Sequence, residues 1–182
     1  MFFPTFLLVF TVIQVSICLN EDYYWREYTG TIPDDALVGG QDINKKDVYI
    51  GQAYVHGDGL IVSEIFPGVR EVHAPINGVK TVKSYIKILC GVQQNFYWSP
   101  ANASHLHLQM IDKRPIIGGH ENGGILYIGR LSYEGNIRIG KIVPFNTEDA
   151  RFYFNNQGSE KSVSSYEVLV YNENAVDVRL GQ

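Results

Sequence analysis

Three histidines and one cysteine are the residues whose types first suggest chemistry. His105 and His107 in SHLHLQ alternate, and alternate residues of a β-strand share a face, as a two-histidine metal pair would require. His120 adds a third imidazole, but no cysteine or short glutamate-containing motif completes a ligand set. Exposed strand histidines are the plainer reading. Cys90 has a histidine only at a distance in sequence, which does not make a dyad without geometry. There is no Gly-x-Ser-x-Gly elbow, phosphate loop or dinucleotide fingerprint. These patterns argue against an enzyme, and no cofactor or metal is expected. Asn102-Ala103-Ser104 is an N-glycosylation sequon, and Ser99-Pro100 just before it suits a surface segment that could carry a glycan.

The chain has 182 residues, and residues 1–18 carry no charged side chain. Their apolar run from Phe6 to Val15 is shorter than the ~20 residues a bilayer-spanning helix needs. The segment is therefore expected to be a secretory signal peptide cut near Cys18, giving a secreted, extracellular protein without membrane insertion. Cys90 is then a single thiol, either buried as a small apolar residue or paired with another chain. With no disulfide framework, a hydrophobic core must hold the fold. A net charge of −4 and basic residues that never cluster beyond Lys45-Lys46 exclude a nucleic-acid footprint.

The elements that must position any site are written twice. VGGQDINKKDVYIG, at Val38–Gly51, returns as IIGGHENGGILYIG at Ile116–Gly129. Gly39-Gly40 and Gly118-Gly119 lie 79 positions apart, and Tyr49-Ile50-Gly51 and Tyr127-Ile128-Gly129 lie 78 apart. Pro67 matches Pro144, Ser84-Tyr85 matches Ser165-Tyr166, and Tyr24-Trp25 matches Tyr97-Trp98. Ordered anchors at a near-constant offset mean an internal duplication, and a long period present only twice argues against a solenoid.

Segments such as DVYIGQAYV, GILYIGRLSY and SSYEVLVY are rich in Tyr, Ile and Val, alternate, and are bounded by turn residues. No stretch sustains an apolar face at helical spacing. The predicted fold is all-β, with antiparallel sheets built from two tandem repeats packed about a pseudo-twofold axis. A single half would bury too little surface to stand alone. Four segments follow: the signal peptide (1–18), repeat 1 (19–91), repeat 2 (92–172) and a C-terminal tail (173–182). Core packing is expected of Trp25 and Trp98, and of the rings of Tyr49 and Tyr127. The paired glycines are expected to supply backbone angles closed to other residues.

GTIPDDALVGGQD followed by VYIG, and RPIIGGHENGGILYIGRLSYEGNIRIGKIVP with SSYEVLVY, resemble the DM9 repeat. A tandem DM9 pair is similar to compact invertebrate proteins of that family, some of them mannose-binding lectins of innate immunity. In such lectins an acidic residue of the Gly-Gly loop and a lysine of a Pro-Gly-Lys-Val-like motif hold the sugar. The resemblance places these roles on Glu121 and Lys141 in repeat 2. In repeat 1 it places the acid on Asp42, while Glu64 stands where the lysine is expected. A carboxylate can accept two vicinal hydroxyls and an ammonium can donate to sugar oxygens, but two carboxylates without a cation bind a neutral sugar poorly. Glu121 and Lys141 are thus the expected working pair, and Asp42 and Glu64 a degenerate one. The expected partner is a glycan or microbial surface, with a homo-oligomer as one route to avidity. The competing expectation is a secreted interaction protein that keeps the scaffold without a sugar site.

Overall fold

The computed structural model describes residues 23–172, so the expected signal peptide and C-terminal tail lie outside the described residues. The first half runs through β1 (Tyr23–Glu27), β2 (Val38–Gln41), β3 (Asp47–Val55), β4 (Gly59–Ile65), β5 (Val72–Pro75), β6 (Val79–Val82) and β7 (Ile86–Gly91). The second half has β8 (Phe96–Asn102), a one-turn helix α1 (Leu106–Gln109) and the two-residue strand β9 (Arg114–Pro115). It continues with β10 (Ile117–Glu121), β11 (Gly124–Tyr133), β12 (Asn136–Ile142), β13 (Phe152–Asn156), β14 (Ser159–Val163) and β15 (Ser165–Tyr171). All pairings are antiparallel. Thirteen strands join in one sheet, while β5 and β6 form a separate ribbon. Among the described residues, no helix is long and apolar enough to cross a membrane.

The duplication is visible strand by strand. Gly51 pairs with Ser63 and Ile88; Gly129 pairs with Gly140 and Val168. Both Gly-Gly strands, β2 and β10, carry a bulge, between Val38 and Gly40 and between Ile117 and Gly119. One anchor needs correction. The counterpart of Tyr166 is Ile86, not Tyr85, because Ile88 and Val168 occupy the same register. Tyr166 is buried in the second half's own core, and its hydroxyl donates to the Ala150 carbonyl, whereas Tyr85 is exposed.

The two halves share one core. Leu37, Val48, Ile50, Val62 and Leu89 interlock with Ile116, Ile128, Ile139 and Leu169, with Trp25 and Trp98 packed on the flank. Each such large aliphatic side chain contributes about 1.5–3 kcal/mol on burial. Further clusters lie within the halves, with Phe152 and Phe154 stacked at 5.4 Å in the second and Ile65, Val72 and Ile88 in the first. Tyr49 and Tyr127 pack against these as expected. Cys90 is fully buried and unpaired, and burial, reinforced by nearby Asp35, pushes its thiol up to about 11.

The reason for the doubled Gly-Gly is close approach rather than unusual backbone angles, since none of the four has a positive φ. A Cβ on Gly39 would lie 2.2 Å from Ile139, and one on Gly40 would lie 2.4 Å from Ile137, both side chains of β12. In mirrored fashion, a Cβ on Gly118 would meet Val62 at 2.5 Å, and one on Gly119 would meet the Leu60 carbonyl at 2.0 Å, both on β4. Each glycine pair therefore lets one half lie against the other half's hairpin. The hydrogen bonds repeat the symmetry: Gln52 donates to the Gly118 carbonyl at 2.7 Å, and Arg130 donates to the Gly39 carbonyl at 3.0 Å. The two crossings differ in one respect. β10 is hydrogen-bonded to β4 through His120–Leu60 and Glu121–Gly59, whereas no such ladder joins β2 to β12. Gly119→Ala must push backbone against backbone, and should cost about 1–3 kcal/mol in a denaturant titration. Gly40→Ala, which meets a movable isoleucine, should cost less.

SHLHLQ is not a strand. His105 precedes α1 and His107 lies inside it, because the chain turns tightly after β8. Residues two apart on a helical turn point in different directions, so the shared face expected of the two histidines does not exist.

Candidate functional site

Lys141 sits near the end of β12, opposite Ile128 on β11 and Tyr153 on β13. Strand alternation turns its side chain inward, and the residue is 2% exposed. Its Nζ donates to Glu121 Oε2 at 2.5 Å and lies 3.6 Å from Glu160 Oε1 on β14. The Tyr153 ring centroid is 5.4 Å from the same nitrogen. A buried ammonium must be paired, and here two carboxylates and an aromatic face meet that need.

Glu121 ends β10, where its backbone lies opposite Gly59 of β4 and Gly124 of β11. Glu160 uses its second oxygen to accept the Gly78 N–H at 2.9 Å, from the turn joining β5 and β6. That turn belongs to the first half, so the cluster is assembled across the junction. Beside it, Lys80 is 2.5 Å from Asp58, and Asn77 donates to the other oxygen of Asp58 at 3.1 Å. The Lys80 hydrogen bond, aided by the Lys80 charge, Asn77 and the charge of Lys141, holds Asp58 below the usual carboxylate range. The site thus gathers three carboxylates, two ammonium groups and one tyrosine. Such a set accepts hydrogen bonds from hydroxyls at fixed carboxylate oxygens while an aromatic wall stands nearby.

The first half has built something else at the equivalent positions. Glu64 lies opposite Ile50, as Lys141 lies opposite Ile128, and it is 7% exposed. Its Oε1 accepts the Ile139 N–H at 3.0 Å, and Arg138 lies 3.6 Å from Oε2. Burial raises the Glu64 carboxyl to about 7, although the Ile139 N–H and Arg138 both pull it back. The expectation of carboxylates without a cation is corrected here: β12 of the other half supplies the charge through Arg138. Asp42 is not brought to Glu64. Its Oδ1 accepts the Asn44 and Lys46 N–H groups at 2.8 and 2.9 Å, closing its own loop with Lys45 at φ 63°. A cavity of about 250 Å³ opens beside Glu64, lined by Phe66, Val72, His73 and Asn155 among others.

Of the four residues singled out in the sequence, Glu121 and Lys141 touch, while Asp42 and Glu64 do separate structural work. Glu160, Tyr153, Asp58 and Lys80 lacked any sequence signal, because no motif links them to the Gly-Gly loop. Asn102 ends β8 with its Oδ1 accepting from Ser104 Oγ at 2.8 Å and its Nδ2 3.3 Å from Ser165 Oγ. His120 lies on β10 opposite Leu60 and Ile125, apart from His105 and His107 in the fold's order. Among the described residues, no three His, Cys, Asp or Glu side chains gather as a metal-ligand set.

The family model for the DM9 repeat matches residues 55–147, from the end of β3 past β12, and so spans the junction that assembles the charged cluster. No curated protein matches the sequence. Among solved structures, the chain is similar to the crystal structure of the nematode sperm cell motility protein MFP2B, with a TM-score of 0.57 and 14% identity. That match covers 83% of this chain and 45% of the other, so the chain spans just under half of that protein's length. At such identity the likeness is one of fold.

Proposed function

Since this chain belongs to the DM9 repeat family, we propose that it is a secreted carbohydrate-binding recognition protein, acting by binding rather than catalysis. The observation that carries the reading is the Glu121 carboxylate, fixed by Lys141 at 2.5 Å where the two halves meet. Lys141 is too buried to grip a ligand directly. Its role is to hold Glu121 through one carboxylate oxygen, so that the other receives a hydroxyl of a mannose-type ring, while Glu160 is committed to Lys141 and the Gly78 N–H. Tyr153 offers the neighbouring aromatic face. Residues 1–18 direct export, the ligand is a glycan on a microbial surface, and Asn102 carries a glycan of its own.

The test is binding of the purified protein to an array of neutral glycans, with free mannose as competitor. Glu121→Gln keeps an acceptor oxygen but removes the charge. It should weaken mannose-competed binding by about tenfold or more, the scale of one charge-assisted hydrogen bond of about 1.5–3 kcal/mol. Wild-type protein that is folded, presented multivalently and silent on the array would sink the reading.

The second reading is an interaction protein that keeps the scaffold without a sugar site. Burial of Lys141 favours it, because an ion cluster closed on itself, with Glu160 also accepting the Gly78 N–H of the first half, serves simply to hold the two halves together. In that case Glu121→Gln would change stability and leave every binding signal untouched.

A further inference from the structure

Tyr54 on β3 and Tyr85 just before β7 meet edge to face, with ring centroids 6.4 Å apart and planes at 89°. They are 44% and 76% exposed. Tyr85 has φ 55°, and it is the only aromatic among the described residues to adopt the left-handed region. A bulky side chain is strained there, and a ring so exposed gains little from packing to offset that strain. The Tyr54 N–H donates to the Tyr85 carbonyl at 3.1 Å, which locks the bend.

Together with Leu60, Ile86, Glu27 and Lys87, the two tyrosines line an open cleft of about 620 Å³. Small-ligand sites fall at roughly 300–1,000 Å³, mostly apolar with a few polar groups at the edge. The edge here is one acid and one base, Glu27 and Lys87, opposite each other across β1 and β7. Opposed unit charges favour a ligand that is neutral but rich in donors and acceptors. Aromatic faces favour one with an apolar C–H side. A pyranose ring has both properties.

Two further observations place this cleft in context. Leu60 lies opposite Tyr54 and His120, whereas the neighbouring Gly59 lies opposite Glu121, so strand alternation puts the cleft on the other face of the sheet from the charged cluster. The counterparts of Tyr54 and Tyr85 in the second half are Ser132 and Ser165, by the registers that align Gly51 with Gly129 and Ile88 with Val168. The aromatic pair is therefore a feature of the first half alone, as the lysine-held carboxylates are of the second.

We propose that the Tyr54–Tyr85 cleft is a second saccharide subsite, stacking one pyranose ring on tyrosine while Glu27 and Lys87 engage its hydroxyls. This rests on the carbohydrate-binding reading of the chain, yet the two sites are separable by experiment. Backbone amide signals would be followed by NMR while the protein is titrated with neutral trisaccharides of mannose, glucose, galactose and N-acetylglucosamine, and separately with a proline-rich peptide.

A saccharide should shift Ile86 and Lys87 in wild type and in Glu121→Gln alike. Tyr85→Gly should weaken that shift's titration by about tenfold, the scale of one lost aromatic contact with its buried area. Its melting temperature should equal or exceed that of wild type, because the strained residue is gone. Tyr54→Ala should weaken the same titration without moving the signals around Tyr153. Saccharide shifts confined to the Glu121 and Tyr153 surroundings would overturn the cleft and spare the charged site. Shifts at Ile86 and Lys87 alone would do the reverse. Shifts at the cleft by the peptide but by no saccharide would reassign it as a peptide groove, and no saccharide shift anywhere would end both readings.

Discussion

Lys141→Ala is expected to lose about 3–5 kcal/mol of folding stability, the usual result of removing one partner from a buried ion pair. The lysine lies between Glu121 and Glu160 at 2.5 and 3.6 Å. Its loss leaves two partly buried carboxylates facing each other with no cation between them. Lys80 cannot serve as a substitute, since it is already committed to Asp58. The junction would open as well, because Glu160 anchors the Gly78 turn of the first half. Urea denaturation of wild type, Lys141→Ala and Lys141→Met/Glu121→Gln would measure this. The double variant should recover part of the loss, since it removes one of the stranded charges together with the cation. Equal stability of wild type and Lys141→Ala would mean that the cluster is solvated and carries no structural load. Binding by Lys141→Ala is informative only where the variant remains folded, which is why Glu121→Gln is the cleaner probe of sugar recognition.

Glu64→Gln should abolish a pH dependence of stability between about pH 4.5 and 7. The Glu64 carboxyl is raised from 4.5 to about 7 in the folded protein. Across that window the folded state holds a proton that the unfolded chain has already released. Stability therefore falls as pH rises through it, and the loss is complete above about 7. A shift of this size corresponds to roughly 3 kcal/mol at 1.36 kcal/mol per unit. Glutamine still accepts the Ile139 N–H and never ionises, so the variant should show no such fall. At pH 8 it should be more stable than wild type by about 1–3 kcal/mol, short of the full amount because Arg138 loses its counter-charge. Asp35 and Asp58 are shifted downward, so their contributions vanish only at acid pH, below this window. Thermal melts of the two proteins at pH 5 and pH 8 would decide the matter. Parallel pH profiles would show that Glu64 stays ionised throughout, held by Arg138.

How far the sequence could be read differs from residue to residue. Tyr49-Ile50-Gly51 and its twin lie in matching registers because identical local patterns direct the same strand pairing. Ser84-Tyr85 and Ser165-Tyr166 match as letters but not as positions, since a one-residue shift flips a side chain from core to solvent. That flip left Tyr85 exposed and buried Tyr166. The histidines of SHLHLQ alternate like strand residues, yet a four-residue helix needs no long periodic signal and gave none. Glu121 and Lys141, the pair that the family resemblance singled out, lie in contact. Glu160 and Tyr153 come from strands whose own sequences carry no mark of the site, and Arg138, although three residues from Lys141 on β12, gave no sign that it would serve Glu64.

The all-β class, the duplication and the equivalence of Glu64 with Lys141 follow from local pattern alone, because strand alternation and repeat spacing are properties of the chain. Which carboxylates surround Lys141, which cation serves Glu64 and why the glycines are paired were decided by the packing of one half on the other. Those contacts join residues whose sequence separation no local rule spans. The Gly-Gly pairs were legible as a repeat, but their purpose emerged only where Ile139, Ile137, Val62 and Leu60 arrive to occupy the space that a side chain would have filled.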